Sequence, residues 1–230
     1  MTRFSKLGMF FAVGAMAFVA TPRASANAEL ILSDGIAADT VTVTSANCGA
    51  GCYLFNGTVG GWNINVTTGT TNPGQSPEID LNSINHHNAG TASTLTIEFS
   101  ANGYTPAVPG FQLNVGGTVS AGGTVTSALY GGTTNTLGDL SNQIGTTLSF
   151  SNPPISFSGS ESAYLASLSS NPYALTEVAT ISFGASAGQA SFDYSVDAIP
   201  EPAGVLLLGS VMLLTVSVIR RRVGVGSKRA

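Results

Sequence analysis

Between Asn27 and Ile199 the chain repeats one local pattern: apolar and polar side chains exchange places at every second residue. In DTVTVTS, Val41 and Val43 share one face and threonines the other. In WNINVTT, Trp62, Ile64 and Val66 oppose Asn63, Asn65 and Thr67. TLTIEFS sets Leu95, Ile97 and Phe99 against Thr96 and Glu98. FQLNVGG offers Phe111, Leu113 and Val115, and SFDYSVD offers Phe192, Tyr194 and Val196. Successive side chains of a strand point to opposite faces, so this period predicts strands with one buried face. Asn56-Gly57, between CYLF and TVGG, is a strong two-residue turn signal and predicts a hairpin there. Ser160 to Ser170 shows little alternation and leaves room for a short helix. About ten to twelve short strands predict an all-β, two-sheet sandwich or jelly roll. Residues 27–198 read as a single domain, long enough for its own core.

The pattern changes at both ends. Leu7 to Ala20 is apolar and uncharged, preceded by Arg3 and Lys6 and followed by Ala24-Ser25-Ala26. A basic start, a short apolar stretch and a small-x-small site describe a secretory signal peptide, 1–26. Cleavage is expected after Ala26, with Ala28 as the competing site. Such a leader, helical in transit, implies the Sec translocon and signal peptidase as partners. At the other end, Ala203 to Ile219 is uncharged and spans about 25 Å as a helix, at the short end of what crosses a bilayer. Arg220, Arg221 and Arg222 follow at once. Basic residues stay on the cytoplasmic side, so the domain is expected outside, with one transmembrane helix, 203–219, and a basic tail, 220–230, within.

Charge sharpens this picture. All eight basic residues lie at or before Arg23 or at or after Arg220, and all twelve acidic residues lie between those arginines. The domain therefore has no Lys or Arg. Binding to nucleic acid requires cations to displace counterions from phosphates, so that class is excluded. A phosphate-cradling loop with its Lys is excluded too. Divalent cations and neutral sugars are the partners that this charge pattern allows.

Pro200-Glu201-Pro202 is more than an anchor needs. Two prolines keep the segment extended just outside the bilayer. Pro200, Glu201 and Pro202, a short apolar helix, and Arg220 to Arg222 at the extreme C-terminus together resemble the PEP-CTERM sorting signal of Gram-negative bacteria, here 199–230. The resemblance implies that the chain is a substrate of exosortase, an integral-membrane cysteine transpeptidase. It implies an inner-membrane intermediate with its domain in the periplasm, then a cell-surface or extracellular product. It also implies an association with exopolysaccharide and biofilm. NPYALTEVATISF, Asn171 to Phe183, is similar to the end of β-sandwich domains common in such proteins, which adds to the fold reading and not to chemistry.

Candidate chemistry inside the domain is sparse. Cys48 and Cys52 are the only cysteines, and outside the cytoplasm so close a pair reads as a structural disulfide; a redox pair or two free thiols are the other readings. His86-His87 reads as an exposed polar loop, because adjacent strand residues face opposite ways and cannot easily share a metal. Glu78, Asp80 and Asn82 alternate, with Asn85 nearby, and leave calcium open, although no EF-hand pattern is present. Gly184-Ala185-Ser186-Ala187-Gly188 matches G-x-S-x-G, but alternating residues follow it where a nucleophile elbow needs a helix, so a turn is expected. Tyr53, Phe55 and Trp62 could form a sugar-stacking platform, against the default of a buried core. Asn56 and Asn65 begin glycosylation sequons. The leading reading is a non-enzymatic, exported envelope or matrix protein. The alternative is a carbohydrate-binding or adhesive module. The third, a secreted hydrolase, would need carboxylates such as Glu78 and Glu98 brought together by folding.

Overall fold

Leu95, Ile97 and Phe99, one of the clearest alternations in the chain, are all fully buried, and so are Trp62, Leu113 and Tyr194. The computed structural model describes residues 27–71, 78–91, 93–105, 110–151, 156–164, 172–199 and 209–215. Twelve strands run in these residues: β1 Ala28–Ser33, β2 Val41–Val43, β3 Cys52–Val59, β4 Trp62–Thr71, β5 Glu78–His87, β6 Ser93–Tyr104, β7 Gly110–Val119, β8 Gly123–Gly132, β9 Gln143–Ser151, β10 Ser156–Tyr164, β11 Tyr173–Phe183 and β12 Gly188–Ile199. The expected leader with Ala24 and Ala26, the Pro200-Glu201-Pro202 segment and Arg220 to Arg222 lie outside the described residues. Of the expected membrane helix only residues 209–215 are described, and they are helical. Among the described residues no helix is long and apolar enough to cross a membrane.

Two antiparallel six-stranded sheets pack face to face, in the orders β2-β1-β6-β11-β8-β9 and β10-β7-β12-β5-β4-β3. Strands β5 to β12 alone run β5-β12-β7-β10 in one sheet and β6-β11-β8-β9 in the other, which is the order of a jelly roll with two Greek keys. Strands β1 and β2 extend the first sheet beyond β6, and β3 and β4 extend the second beyond β5. The core is one cluster between the sheets, with Leu30, Trp62, Phe99, Leu113, Ile181 and Tyr194 among its members. Each of these inward residues is apolar or aromatic because burial of apolar area is the main term available to a domain without cations.

Two local expectations are corrected. Asn56-Gly57 is not a hairpin turn. Both residues lie within β3, at a bulge where the register shifts between Phe55 and Gly57. The turn is Gly60-Gly61, between the paired residues Val59 and Trp62, and Gly60 has the left-handed φ of 51° that such a turn needs. Extending the strand to Val59 buries both Val59 and Trp62, which a turn at Asn56 would have left outside. Ser160 to Tyr164 is strand rather than helix, and residues 165–170 lie outside the described residues. The alternation is hidden there because two inward positions of β10 carry Gly159 and Glu161. The Glu161 carboxylate accepts bonds from the Thr146 amide (3.1 and 3.0 Å) and hydroxyl (2.9 Å), and so ties β10 to β9 where the two sheets meet.

Candidate functional site

Polar residues of the same strands, pushed outward by the period-two pattern, make the outer face of the second sheet. Cross-strand register sorts them into rows. Ser160, Asn114, Ser195 and Asp80 form one row across β10, β7, β12 and β5. Ser158, Gly116, Asp193 and Asn82 form the next. A shallow hollow of about 880 Å³ lies over these rows, lined by Asn82, Asn114, Gly116, Ser158, Ser160 and Asp193 among others. Gly116 explains the hollow. A Cβ placed on it would meet nothing nearer than the Phe157 carbonyl oxygen at 3.7 Å, so the floor is low because a side chain is missing there. Among the described residues no hydrogen-bond partner is found for the side chains of Asn114, Ser158, Ser160 or Ser195. Asp193 has one long contact, from Asn82 Nδ2 at 3.5 Å. The hollow thus presents unspent amide, hydroxyl and carboxylate groups and no cation.

Glu78 stands directly opposite Asp197 on this face, with Asp80 beside them. Partial burial, then the carboxylates of Asp193, Glu78 and Asp197, push the Asp80 carboxyl up to about 6. The sequence leaves calcium open at Glu78, Asp80 and Asn82. Among the described residues no three or more His, Cys, Asp or Glu side chains are grouped to hold a metal ion. Glu98 lies on β6 of the other sheet and projects from that sheet's far face, beside Glu29, so folding does not bring it to Glu78. Burial and Glu29 raise its carboxyl.

The three aromatics follow the default of a buried core and form no platform. Trp62 is fully buried, its Nε1 donates to the Ser93 hydroxyl at 2.7 Å, and its ring packs on His87 and Phe183. Tyr53 is buried against Phe99, and Phe55 packs on the core, so the three serve the interior. His86 and His87 are strand residues at the end of β5, not an exposed loop. His87 faces inward and is buried, stacked on Phe183, with Nδ1 3.1 Å from the Ser186 carbonyl oxygen. Sequence could not place it there because a polar ring between two aromatics is a tertiary event. Ser186 lies in the turn between β11 and β12, and a strand follows it, so the nucleophile elbow is absent. Cys48 and Cys52 are bonded to each other just ahead of and at the start of β3.

Glu177 on β11, which the local pattern did not single out, is fully buried, and neither carboxylate oxygen has a hydrogen-bond partner among the described residues. Burial, then Asp80, Asp193 and Asp197, hold its carboxyl well above the usual range, so it is protonated inside the core. A signal for it exists in the sequence. In YALTEVATISF the inward set is Tyr173, Leu175, Glu177, Ala179, Ile181 and Phe183, which puts one acid on the apolar face.

No family model matches the chain, and no curated protein matches it. Solved structures with some likeness include TmCBM61 in complex with beta-1,4-galactotriose, at 4% identity over 62% of this chain and 92% of that one, with a TM-score of 0.36. Another is infectious bursal disease virus Gx strain, at 12% identity over 74% of this chain and 50% of that one, with a TM-score of 0.30. A third is the C-terminal CBM6 of LamC, a marine laminarinase of Zobellia galactanivorans, at 12% identity over 55% and 86%, with a TM-score of 0.22. Likeness at this level carries no functional assignment.

Proposed function

We propose that this is an exported, non-enzymatic protein whose jelly-roll domain binds neutral polysaccharide on the outer face of the second sheet. In this reading the leader and the PEP-CTERM-like segment deliver it to the cell envelope or the extracellular matrix, where exopolysaccharide is the partner at hand. The observation that carries the binding role is the hollow floored by Gly116. It offers hydroxyl, amide and carboxylate groups that can pair with sugar hydroxyls, and it has no cation to attract an anionic ligand.

The test is electrophoresis of the full-length chain, in a non-glycosidic detergent, through gels that contain neutral or uronate polysaccharides. Retardation by a neutral polymer is expected, and none by a polyuronate. Gly116→Val should abolish it by filling the floor, with thermal unfolding unchanged. Wild-type protein that no neutral polymer retards, or a Gly116→Val variant retarded as strongly as wild type, would overturn the binding role. Export and sorting have their own measurement. The intact mass of surface-recovered protein should show a start near Asn27, and loss of Arg220 to Arg222 only in cells that hold exosortase. Retention of those arginines in both backgrounds would remove the sorting step and leave an anchored ectodomain.

A further inference from the structure

A second hollow, of about 800 Å³, lies on the same outer face, lined by Asn63, Asn65, His86 and Gln189 among others. It adjoins the first. On β5, Ile84 borders the first hollow and His86 the second, and these are successive outward residues. On β12, Ser191 borders the first and Gln189 the second. Register pairs Gln189 with His86 and Ser191 with Ile84, so the two hollows meet along one strand ladder. From Gln189 to Ser195 the ladder runs about 20 Å at the usual rise per residue. The trough lies open along an exposed sheet face. A site for a chain end needs a wall against which the end can stop, and an open trough suits a ligand that continues past it.

Its chemistry is graded in a useful way. Asn82, Asp193, Ser195, His86 and Gln189 offer hydrogen bonds along the ladder. Ile84, 37% exposed at the middle, offers an apolar contact for the carbon-bearing face of a sugar ring. The carboxylates of Asp80 and Asp193 repel a polyanion.

Resting on the glycan-binding reading above, we infer that the whole trough takes an internal stretch of a long, neutral polysaccharide, laid along β5 and β12, rather than a chain terminus. The experiment is titration calorimetry of the full-length chain in non-glycosidic detergent, with a length series of whichever neutral oligosaccharide retards it. Affinity should rise at least about tenfold between a disaccharide and an oligomer that spans about 20 Å. Reduction of the chain end to an alditol should change nothing. A His86→Ala/Gln189→Ala variant should bind the long oligomer no better than the short one and keep short-oligomer affinity. Both residues lie on the outer face, and buried Trp62 fluorescence reports that the core is intact. Affinity independent of length, loss of binding on end reduction, or an unaltered double variant would overturn the inference while leaving glycan binding in place. Absence of binding at every length would remove the glycan reading and this inference with it.

Discussion

Glu177 gives the sharpest quantitative prediction. Its carboxyl is fully buried between the sheets, with no hydrogen-bond partner for either oxygen among the described residues. It keeps its proton in the fold because burial, with Asp80, Asp193 and Asp197 of the neighbouring sheet, disfavours the charge. Tyr194 and Tyr104, buried hydroxyls that feel the Glu177 carboxylate, are themselves raised by burial and so neutral. In the unfolded chain the same carboxyl loses its proton above about 4.5. At this group the folded state thus binds more protons than the unfolded state, so the contribution of Glu177 to stability is greatest at low pH and falls as pH rises above that value. The slope is about 1.4 kcal/mol per pH unit for as long as the folded carboxyl stays protonated. Glu177→Gln keeps the shape and removes the ionisation. It should match wild type near pH 4 and exceed it by a margin that grows as pH rises, at no more than about 1.4 kcal/mol per pH unit. Urea unfolding followed by the fluorescence of Trp62, the single tryptophan, measures this directly. Asp80 and Glu98 also carry raised carboxyls and add the same slope to both proteins, so the difference isolates Glu177. A difference that does not change with pH, or a variant less stable than wild type at pH 7, would refute the reasoning, because it would mean an ionised, compensated Glu177.

Other predictions probe packing and ties. A Cβ on Gly69 would sit 2.3 Å from the ring of Phe99, so Gly69→Ala should destabilise by about 1–3 kcal/mol in urea unfolding, whereas Gly116→Ala should be neutral or slightly stabilising. Glu161→Ala removes the carboxylate that holds the Thr146 amide and hydroxyl; a loss of about 1–3 kcal/mol is expected, with faster amide exchange confined to β9 and β10. Cys48→Ser/Cys52→Ser frees a short loop, so a loss of about 2 kcal/mol should appear by calorimetry, with the fold retained.

Much of the architecture is legible in the chain itself. Because the side-chain period of a strand is two, local order alone tells which residues of TLTIEFS, FQLNVGG and SFDYSVD face inward, and all of their apolar members are buried. The same pattern carries the acid at position 177 to the inner face, although only packing shows that no described residue there pairs with it. The absence of any Lys or Arg between Arg23 and Arg220 excludes whole ligand classes on composition alone. What local order does not encode is which strands become neighbours. The ladder that carries the trough joins Asn82 to Asp193, 111 residues apart. Pairings over such distances depend on the global packing of two faces, not on any short segment. For the same reason His87, read locally as a loop residue, is decided by the tertiary structure, which stacks it on Phe183 and packs it against Trp62. The Asn56-Gly57 turn signal yields to the burial of Val59 and Trp62. A turn preference of about a kilocalorie cannot compete with two buried apolar side chains worth about 1.5–3 kcal/mol each.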